Sequence, residues 1–412
     1  MQRSLFTAVS GLRNHQVKMD VIGNNIANVN TTAFKGGRVR FQDILSQNIR
    51  GASAPQLGRG GINPAQVGLG MSIGAIDTIH NQGSLQNTGR LTDLAIQGNG
   101  FFVMSDGINR FYTRDGAFSV GADGDLVNAS NGFKPLGWAA DAAGNIDTNL
   151  PLRTLNIPIG NRVNTRATEN LVLGGNLDAL TAIHPGPPAL PSHTAEVIAY
   201  DSQGGMHTIS IALTKTASNA WSWAATSGAH VMTAGSSGTL TFDASGNLTA
   251  STGGPIGFSP PGVAPLSVAV DFSGLTQVVG RSSAMVRSQD GFPVGELESF
   301  MIGNTGVING VYTNGLVVAL GQVALAGFPN PEGLQKAAAN MFQISSNSGL
   351  PRIGGAGLEG RGMIETATLE MSNVDLSVEF TEMITTSRAF QANSRMISAS
   401  DDLLQEVVNL KR

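Results

Sequence analysis

The sequence predicts a mostly β protein with α-helices at its two ends. In detail we expect two nested β-domains, a coiled-coil domain formed by the N- and C-terminal helices, and an extended connector. Three observations lead to this prediction. Residues 2–28 and 373–411 show helical periodicity, and the chain between them is rich in Gly, Ser, Thr and Asn. Short apolar runs bounded by turn residues fill that middle part, and its composition changes near residues 156 and 289.

Apolar residues recur every seven residues in both terminal segments. Such a repeat keeps an apolar seam against a partner helix. The predicted intersubunit seam is Leu5, Leu12, Met19, Ile26, Leu376, Phe380, Met383, Phe390, Ile397 and Leu404. Polar Ser387, Ser394 and Asp401 interrupt it, so we expect looser packing than in a leucine zipper. Asp375 and Ser377 are predicted caps of the second helix.

The two ends also differ in charge. Residues 1–50 carry seven basic and two acidic side chains, whereas residues 365–412 carry four basic and eight acidic ones. Opposite charges favour contact between the ends, within one chain or between copies. The alternative is that both are solvated helix faces. The second helix is too long for the first to cover its seam, so the ends predict assembly rather than catalysis.

The middle of the chain reads as one β-domain inserted into another. The predicted domains are 1–28 plus 373–412 (helical), 29–70 plus 358–372 (extended connector), 71–155 plus 290–357 (core β-domain) and 156–289 (inserted β-domain). The apolar stretch 316–328 is too short to span a bilayer, and Gly321, Gln322 and Gly327 interrupt it. We expect one or two buried strands there and no membrane insertion.

Composition argues against several classes of function. The net charge is −4 with no basic stripe, so nucleic acid is not an expected partner. The chain has no Cys, which excludes disulfides and thiolate chemistry. The six histidines lack metal-ligand spacing, and no G-x-S-x-G motif is present. We therefore expect no catalytic residues, no cofactor, no metal and no enzymatic activity.

Three segments resemble ligand sites but have better explanations. Gly355, Gly357 and Gly360 fit G-x-G-x-x-G, yet no clear strand precedes them and no helix start follows. The related runs 141–146 and 243–248 resemble calcium loops, but Leu152 and Gly254 stand where an EF-hand needs an acid. We predict a turn-rich connector for the first motif and hairpin turns for the other two.

Several longer motifs resemble, in the right order, one family. They are ANVNTTAFK (27–35), LAIQGNGFF (94–102), TRDGAFSVGADGDLV (113–127), QDGFPV (289–294), LGQVALAGFPNPEGL (320–334) and LEMSNVDLSVEF (369–380). The family is that of the bacterial flagellar axial proteins, which form the rod and hook, and the large insertion favours the hook. The signature residues are Ala27, Asn28, Thr31, Phe34, Lys35, Asn373, Val374 and Asp375. The chain departs from the pattern at Ala33, where the family usually has glycine.

The resemblance implies a structural hook subunit that polymerises into a curved, flexible, hollow tube carrying torque from rod to filament. It implies terminal helices along the channel, with Ser387, Ser394 and Asp401 as channel-facing candidates, and the inserted domain outermost. Implied partners are other copies of the chain, the distal rod protein, the hook-cap scaffold, the hook–filament junction protein and the flagellar type III export apparatus. The resemblance also implies an extracellular location in the flagellar hook, reached by export without cleavage of a signal peptide. The N-terminus lacks a cleaved-signal pattern, in agreement with that route. The alternatives are a stiff, distal-rod-like protein and a secreted β-rich adhesin.

Overall fold

Two helices stand at the ends of the chain and strands fill the middle, as predicted. The computed structural model describes residues 2–55, 58, 60–141, 144–158, 163–184, 191–228 and 230–409. Helix α1 spans Gln2–Ala27 and helix α2 spans Leu376–Asn409. Residues 410 and 411, the last of the predicted second helix, lie outside the described residues. Asp375 caps α2 as predicted, because its Oδ1 accepts the Ser377 N–H at 2.8 Å.

The strands follow the three parts of the chain. Those of the first part are β1 Gly37–Asp43, β2 Ser46–Arg50, β3 Ala65–Gly68, β4 Met71–Thr78, β5 Leu85–Asn87, β6 Leu94–Gln97, β7 Phe101–Ser105, β8 Arg110–Thr113, β9 Phe118–Val120, β10 Leu126–Asn128, β11 Lys134–Ala139 and β12 Arg153–Thr154. Those of the middle part are β13 Val163–Arg166, β14 Asn170–Asp178, β15 His193–Tyr200, β16 Met206–Ala217, β17 Ala220–Ser227, β18 Met232–Ala234, β19 Ser237–Phe242, β20 Leu248–Ser251, β21 Ile256–Phe258, β22 Leu266–Val278, β23 Met285–Gln289, β24 Phe292–Ile302 and β25 Val307–Tyr312. Those of the returning part are β26 Val317–Val323, β27 Leu325–Gly327, β28 Gln335–Lys336, β29 Met341–Gln343, β30 Arg352–Gly354, β31 Met363–Thr366 and β32 Thr368–Glu370.

The chain packs as two compact units. The first comprises Met1–Ile157, Met301–Asn309 and Ala319–Arg412, and the second comprises Pro158–Phe300 and Gly310–Val318. The second unit is therefore an insertion in the sequence of the first. The finer division into four domains, with the helices and connector apart from the core, stays a prediction.

The segment after α1 is a β-ribbon rather than a simple extended connector. Strand β1 pairs antiparallel with β4, and β2 pairs antiparallel with β3, so residues 37–50 run back along 65–78. The scattered apolar residues of this segment do not form a core. Ile44, Leu45, Ile49 and Val67 are exposed on the ribbon. The sequence pattern did not reveal this pairing, because a long loop separates the paired strands.

The core of the first unit is built around β7. This strand pairs with β8, β11 and β27, and β8 pairs in turn with β29. Buried side chains pack on the sheet: Phe101, Val103, Tyr112, Leu136, Trp138, Ala324, Ala326, Leu334 and Phe342. The apolar stretch 316–328 forms β26 and β27, which confirms the predicted pair of strands. Among the described residues, no helix combines the length and apolarity needed to cross a membrane.

The second unit contains two five-stranded sheets. One has the order β15-β16-β17-β19-β20 and is antiparallel. The other has the order β18-β21-β22-β14-β23, with β14 parallel to β22. One cluster of buried side chains joins them, including Leu173, Ile211, Leu213, Trp221, Trp223, Phe258 and Phe272. Each indole N–H is satisfied, since Trp221 donates to Gln277 Oε1 at 2.9 Å and Trp223 to Thr252 O at 3.0 Å.

Neither ligand-like motif forms the site it resembles. Gly355, Gly357 and Gly360 lie in a turn between β30 and β31, so no helix follows them. Asp243 closes the turn from β19 to β20, because its Oδ1 accepts the N–H groups of Ser245 and Asn247, each at 2.8 Å. That turn is the predicted hairpin. In the run 141–146, residues 142 and 143 lie outside the described residues.

Candidate functional site

The two terminal helices pack against each other within the first unit. Asn25 near the end of α1 donates to Glu379 Oε1 near the start of α2 at 2.9 Å. Nearer the middle of both helices, Lys18 of α1 forms an ion pair with Glu382 of α2. Because residues late in α1 meet residues early in α2, the helices run antiparallel. The opposite charges of the two ends thus meet within one chain.

Small and polar residues are prominent among the buried positions of the two helices. Ala8, Gly11, Ile22 and Asn25 are buried on α1, and Thr386 and Ser400 are buried on α2. A Cβ placed on Gly11 would come within 2.7 Å of Asn393 Nδ2, so the Asn393 side chain of α2 packs directly on this glycine. A side chain at position 11 would occupy the space that Asn393 fills.

The predicted seam residues flank this contact. Leu5, Leu12, Met19, Ile26, Met383, Phe390, Ile397 and Leu404 are half-buried. Leu376 and Phe380 are 39% and 49% exposed. Of the polar residues that interrupt the seam, Ser387 is half-buried and Ser394 and Asp401 are exposed. The role of the seam between subunits stays a prediction, as does the channel-facing position of the polar residues.

The signature residues of the two ends lie side by side. Asn373 connects them: its Oδ1 accepts the Gly36 N–H at 2.9 Å, and its Nδ2 donates to Ile79 O at 2.8 Å. On the other side, the Ala33 N–H donates to Glu370 O at 2.8 Å. Asn28 ends α1, where its side chain accepts from Thr31 Oγ1 at 3.1 Å. The segments 27–35 and 369–375 therefore form one junction.

Ala33 adopts the left-handed backbone conformation, with φ of +56°. Glycine takes this conformation without strain, and alanine does so at some cost. The chain therefore keeps the turn, although alanine stands where the family usually has glycine. The turn carries the chain from the end of α1 into the junction.

A buried ion cluster lies at the centre of the junction. The side chains of Lys35, Glu370 and Arg114 are 1%, 0% and 4% exposed. Lys35 Nζ lies 2.5 Å from Glu370 Oε1, which also accepts the Gly83 N–H at 2.9 Å. Arg114 Nη1 lies 3.2 Å from Glu370 Oε2. Both carboxylate oxygens of Glu370 are thus engaged, one by each cation.

The surroundings of the cluster determine its charge states. Burial lowers the pKa of Lys35, and the adjacent Glu370 opposes that shift. Burial also lowers the pKa of Arg114, again against Glu370. Two cations share one carboxylate here, so the cluster depends on backbone acceptors as well. Lys35 donates to Asn81 O at 2.7 Å and Arg114 to Gly98 O at 2.7 Å.

His80 borders the cluster as a neutral, aromatic residue. Its ring lies edge-on to Phe101 and Phe342, with centroids 5.6 and 5.1 Å away. Among the described residues, neither ring nitrogen has a hydrogen-bond partner. Burial, followed by the charges of Lys35, Arg114 and Lys336, lowers the pKa of His80 to about 4. The junction therefore favours uncharged His80 at neutral pH.

The sequence pointed to part of this junction only. Lys35, Asn373 and Asp375 stand in the quoted signature, whereas Glu370, Arg114 and His80 were not singled out as site residues. Glu370 offered one signal, because an acid ending the short strand β32 beside an apolar residue needs a partner if it is buried. Its partners lie 335 and 256 residues away along the chain, so spacing could not identify them.

Comparison with protein families finds four matches along the chain. They are "Flagella basal body rod protein" at residues 5–35, "Flagellar hook protein FlgE/F/G D1 domain" at 95–162, "Flagellar basal body protein FlaE D2 domain" at 174–292 and "Flagellar basal body rod FlgEFG protein C-terminal" at 365–410. The first and last matches contain the two halves of the junction.

Full-length relatives carry related names. The flagellar hook protein FlgE of Borreliella burgdorferi is 43% identical, and that of Treponema pallidum 40%, each over 100% of both chains. The flagellar basal-body rod protein FlgG of Bacillus subtilis is 30% identical over 100% of both chains. The crystal structure of Helicobacter pylori flagellar hook protein FlgE2 has a TM-score of 0.50 at 15% identity. It covers 69% of this chain and 100% of its own, and shows a shared fold.

Proposed function

This chain belongs to the flagellar hook protein family, and we propose that copies of it polymerise into a hollow, curved, flexible tube that transmits torque from the motor rod to the filament. Its role is structural. The membership rests on full-length similarity to hook proteins and on family matches at both ends and in both units. The mechanical properties of the tube belong to the proposal.

The observation that supports polymerisation is the apolar surface left on the paired helices. Although α1 and α2 pack together, large side chains on them remain exposed: Phe6, Val378, Phe380, Ile384, Met396, Leu403 and Val408. Exposed apolar surface of this extent on helices marks an interaction site. In a tube of identical subunits, the faces of neighbouring helices would cover it, and head-to-tail contacts that do not close generate such a tube.

In this proposal the predicted seam residues lie at the contacts between subunits. Leu376 and Phe380 would contact neighbouring subunits directly, and the half-buried seam residues would pack at the edges of the same contacts. The second unit would lie on the outer surface of the tube. Other copies of the chain are the main partners, and we include the distal rod protein, the hook-cap scaffold, the hook–filament junction protein and the type III export apparatus. Export would proceed without cleavage of a signal peptide.

Electron microscopy of the concentrated protein tests the proposal. We expect curved tubes from the unaltered chain and none from the double variant Phe380→Asn with Leu403→Asn, because both changes place amides on the apolar helix surface. The matched control is Thr385→Asn, since Thr385 is already polar and exposed on the same helix. Normal tubes from the double variant would contradict the proposal, provided that circular dichroism shows unchanged helix content.

The similarity to a rod protein favours one second candidate. The Bacillus subtilis relative named as a basal-body rod protein matches over its full length. A rod-like function predicts straight, stiff tubes from the same preparation. The curvature of the tubes in the micrographs separates the two functions.

A further inference from the structure

Two histidines of the second unit face each other beside an aspartate. His207 lies in β16, and His230 lies in the turn before β18. The distance from His230 Nε2 to His207 Nδ1 is 3.1 Å, and His207 Nε2 lies 2.8 Å from Asp201 Oδ2. The sequence could not reveal the pair, because 23 residues separate the two histidines.

Asp201 is held in position by backbone donors. Its Oδ1 accepts the N–H groups of Gln203 and Gly205, each at 2.8 Å, which leaves Oδ2 for His207. A carboxylate can only accept, so the proton of neutral His207 stands on Nε2. The Nδ1 atom of His207 therefore presents a lone pair toward His230. This orientation of an imidazole by a carboxylate is common behind metal-ligating histidines.

The spacing of the two nitrogens suits a shared metal ion. Two imidazole nitrogens at about 2.0–2.1 Å from one tetrahedral ion stand roughly 3.3 Å apart. The observed 3.1 Å is close to that separation. We propose that His207 Nδ1 and His230 Nε2 bind a divalent transition metal ion, with Asp201 as the positioning carboxylate.

Binding requires a change of proton position at one ring only. In the hydrogen-bonded pair, His230 carries its proton on Nε2 and donates it to His207 Nδ1. When the ion enters, that proton moves through solvent to His230 Nδ1, and the Nε2 lone pair coordinates the metal. Both rings stay neutral, and Asp201 keeps its negative charge.

Because only two imidazoles would bind the ion, we expect weak binding, with the other coordination positions open. Among the residues that the structure describes, no group of three or more His, Cys, Asp or Glu side chains is placed to hold a metal. Water would complete the shell. Phe258 stacks on His230 at 5.9 Å and meets His207 edge-on at 5.5 Å, which holds both rings in place. His230 is half-buried, and its partial exposure gives an ion access to the pair.

The metal preference follows from the ligands. Imidazole binds several divalent ions, and their affinities rise to Cu(II), with Zn(II) weaker. Two imidazoles without a third protein ligand give no geometric selection against Cu(II). We therefore expect Cu(II) to bind most tightly, followed by Ni(II) and Zn(II).

Titration of the full-length, metal-stripped protein with Cu(II) tests the site. We expect one saturable site per chain and pulsed electron paramagnetic resonance that shows two imidazole nitrogens on the copper. His230→Ala should weaken binding at least tenfold and leave one imidazole. Asp201→Asn should weaken it tenfold to a hundredfold while both imidazoles remain, as for a positioning carboxylate.

Two controls keep the test decisive. His184→Ala removes another histidine of the same unit and should leave affinity and spectrum unchanged. Zn(II) should raise the thermal midpoint of the unaltered chain and not that of His230→Ala. Binding that His230→Ala leaves unchanged, or copper bound by a single imidazole, would overturn the proposal. The absence of any saturable copper site would also overturn the proposal, because the two histidines would then form only a hydrogen bond.

Discussion

Ala33 shows how a residue with a side chain can hold a turn suited to glycine. Replacing it by glycine relieves about 1–2 kcal/mol of left-handed strain. The change also removes a buried methyl group, worth about 0.8 kcal/mol, and adds about 0.4–1 kcal/mol of freedom to the unfolded chain. These terms nearly cancel, so alanine is tolerated at this position.

The first prediction follows from that balance. Ala33→Gly should change the free energy of unfolding by less than about 1 kcal/mol, whereas Ala33→Val should lower it by more than 2 kcal/mol, since a β-branched residue fits positive φ poorly. Urea unfolding followed by circular dichroism measures both. A valine variant as stable as the glycine variant would show that the turn does not need positive φ.

The buried carboxylate of Glu370 gives the second prediction. Glu370→Gln keeps the shape but leaves Lys35 and Arg114 buried without their anion. We expect a loss of about 3–5 kcal/mol in the free energy of unfolding. Glu332→Gln, at an exposed glutamate of the same unit, should change it by less than 0.5 kcal/mol.

A double variant checks that the loss comes from the ion cluster. Lys35→Met combined with Glu370→Gln should cost clearly less than the sum of the two single changes, because the double variant removes the Lys35 charge that Glu370→Gln alone leaves buried without an anion. Additive losses would show that the two side chains act separately.

His80 gives a prediction on pH. Its pKa is about 4 in the folded chain, against an ordinary value of 6.5. The folded state thus favours neutral His80. This contribution to stability is complete above pH 6.5 and is lost as the pH falls toward 4, and it amounts to about 2–3 kcal/mol.

The measurement compares urea unfolding at pH 7 and pH 4. His80→Leu should lose about 2–3 kcal/mol less than the unaltered chain over this interval, because leucine does not titrate. His184→Leu should keep the unaltered dependence on pH. An equal loss in the His80→Leu variant would mean that other groups produce the acid sensitivity.

At the scale of elements, the helices and contact between them were predictable, and the residues that form the contact were not. A seven-residue repeat identifies both segments as helical from Leu5 and Leu376 onward, and caps such as Asp375 locate an end. The repeat of large residues does not reveal that Ala8 and Gly11 form the buried face. Close approach depends on the partner helix, and the partner lies at the other end of the chain. The β-ribbon was missed for the same reason, since its pairing spans a long loop.

Two glycines of α1 test the helix contact. Gly11→Leu should displace the Asn393 side chain and disturb the helix contact, because even a Cβ would meet Asn393, while Gly23→Leu fills open space. Both changes raise helix propensity by about 1 kcal/mol. We expect helix melting, followed at 222 nm, to shift down for Gly11→Leu by several degrees and to stay or rise for Gly23→Leu. Equal melting of the two variants would contradict the packing.

At the scale of the whole molecule, the insertion has a natural point of excision. Arg166 at the end of β13 pairs antiparallel with Phe292 at the start of β24, so the two ends of the segment 167–291 lie side by side within the second unit. From changes in composition near 156 and 289 the sequence predicts an insertion at 156–289, a range that overlaps the second unit. It could not supply the strand pairing inside, where parallel β14 and β22 lie far apart in the chain.

Replacement of residues 167–291 by Asn-Gly, which suits a two-residue hairpin loop, tests the nested organisation. We expect the first unit to keep its fold and its assembly, with altered curvature of the tubes, because the buried cluster and both helices are untouched. Micrographs and thermal unfolding are the measurements. Failure to form any tube would count against an organisation in which the first unit alone supports polymerisation.

The buried ion cluster also determines when the first unit can complete its fold. Lys35 and Glu370 lie 335 residues apart in the chain and yet touch. A chain that emerges from its N-terminus onward cannot complete the first unit until nearly all of it is free, and contacts this distant in sequence make folding slow. Until then Lys35 and Arg114 remain hydrated and α1 lacks its partner. The fold of the first unit is thus complete only after Glu370 and α2 have reached Lys35 and α1, whereas the buried cluster of the second unit contains neither end of the chain.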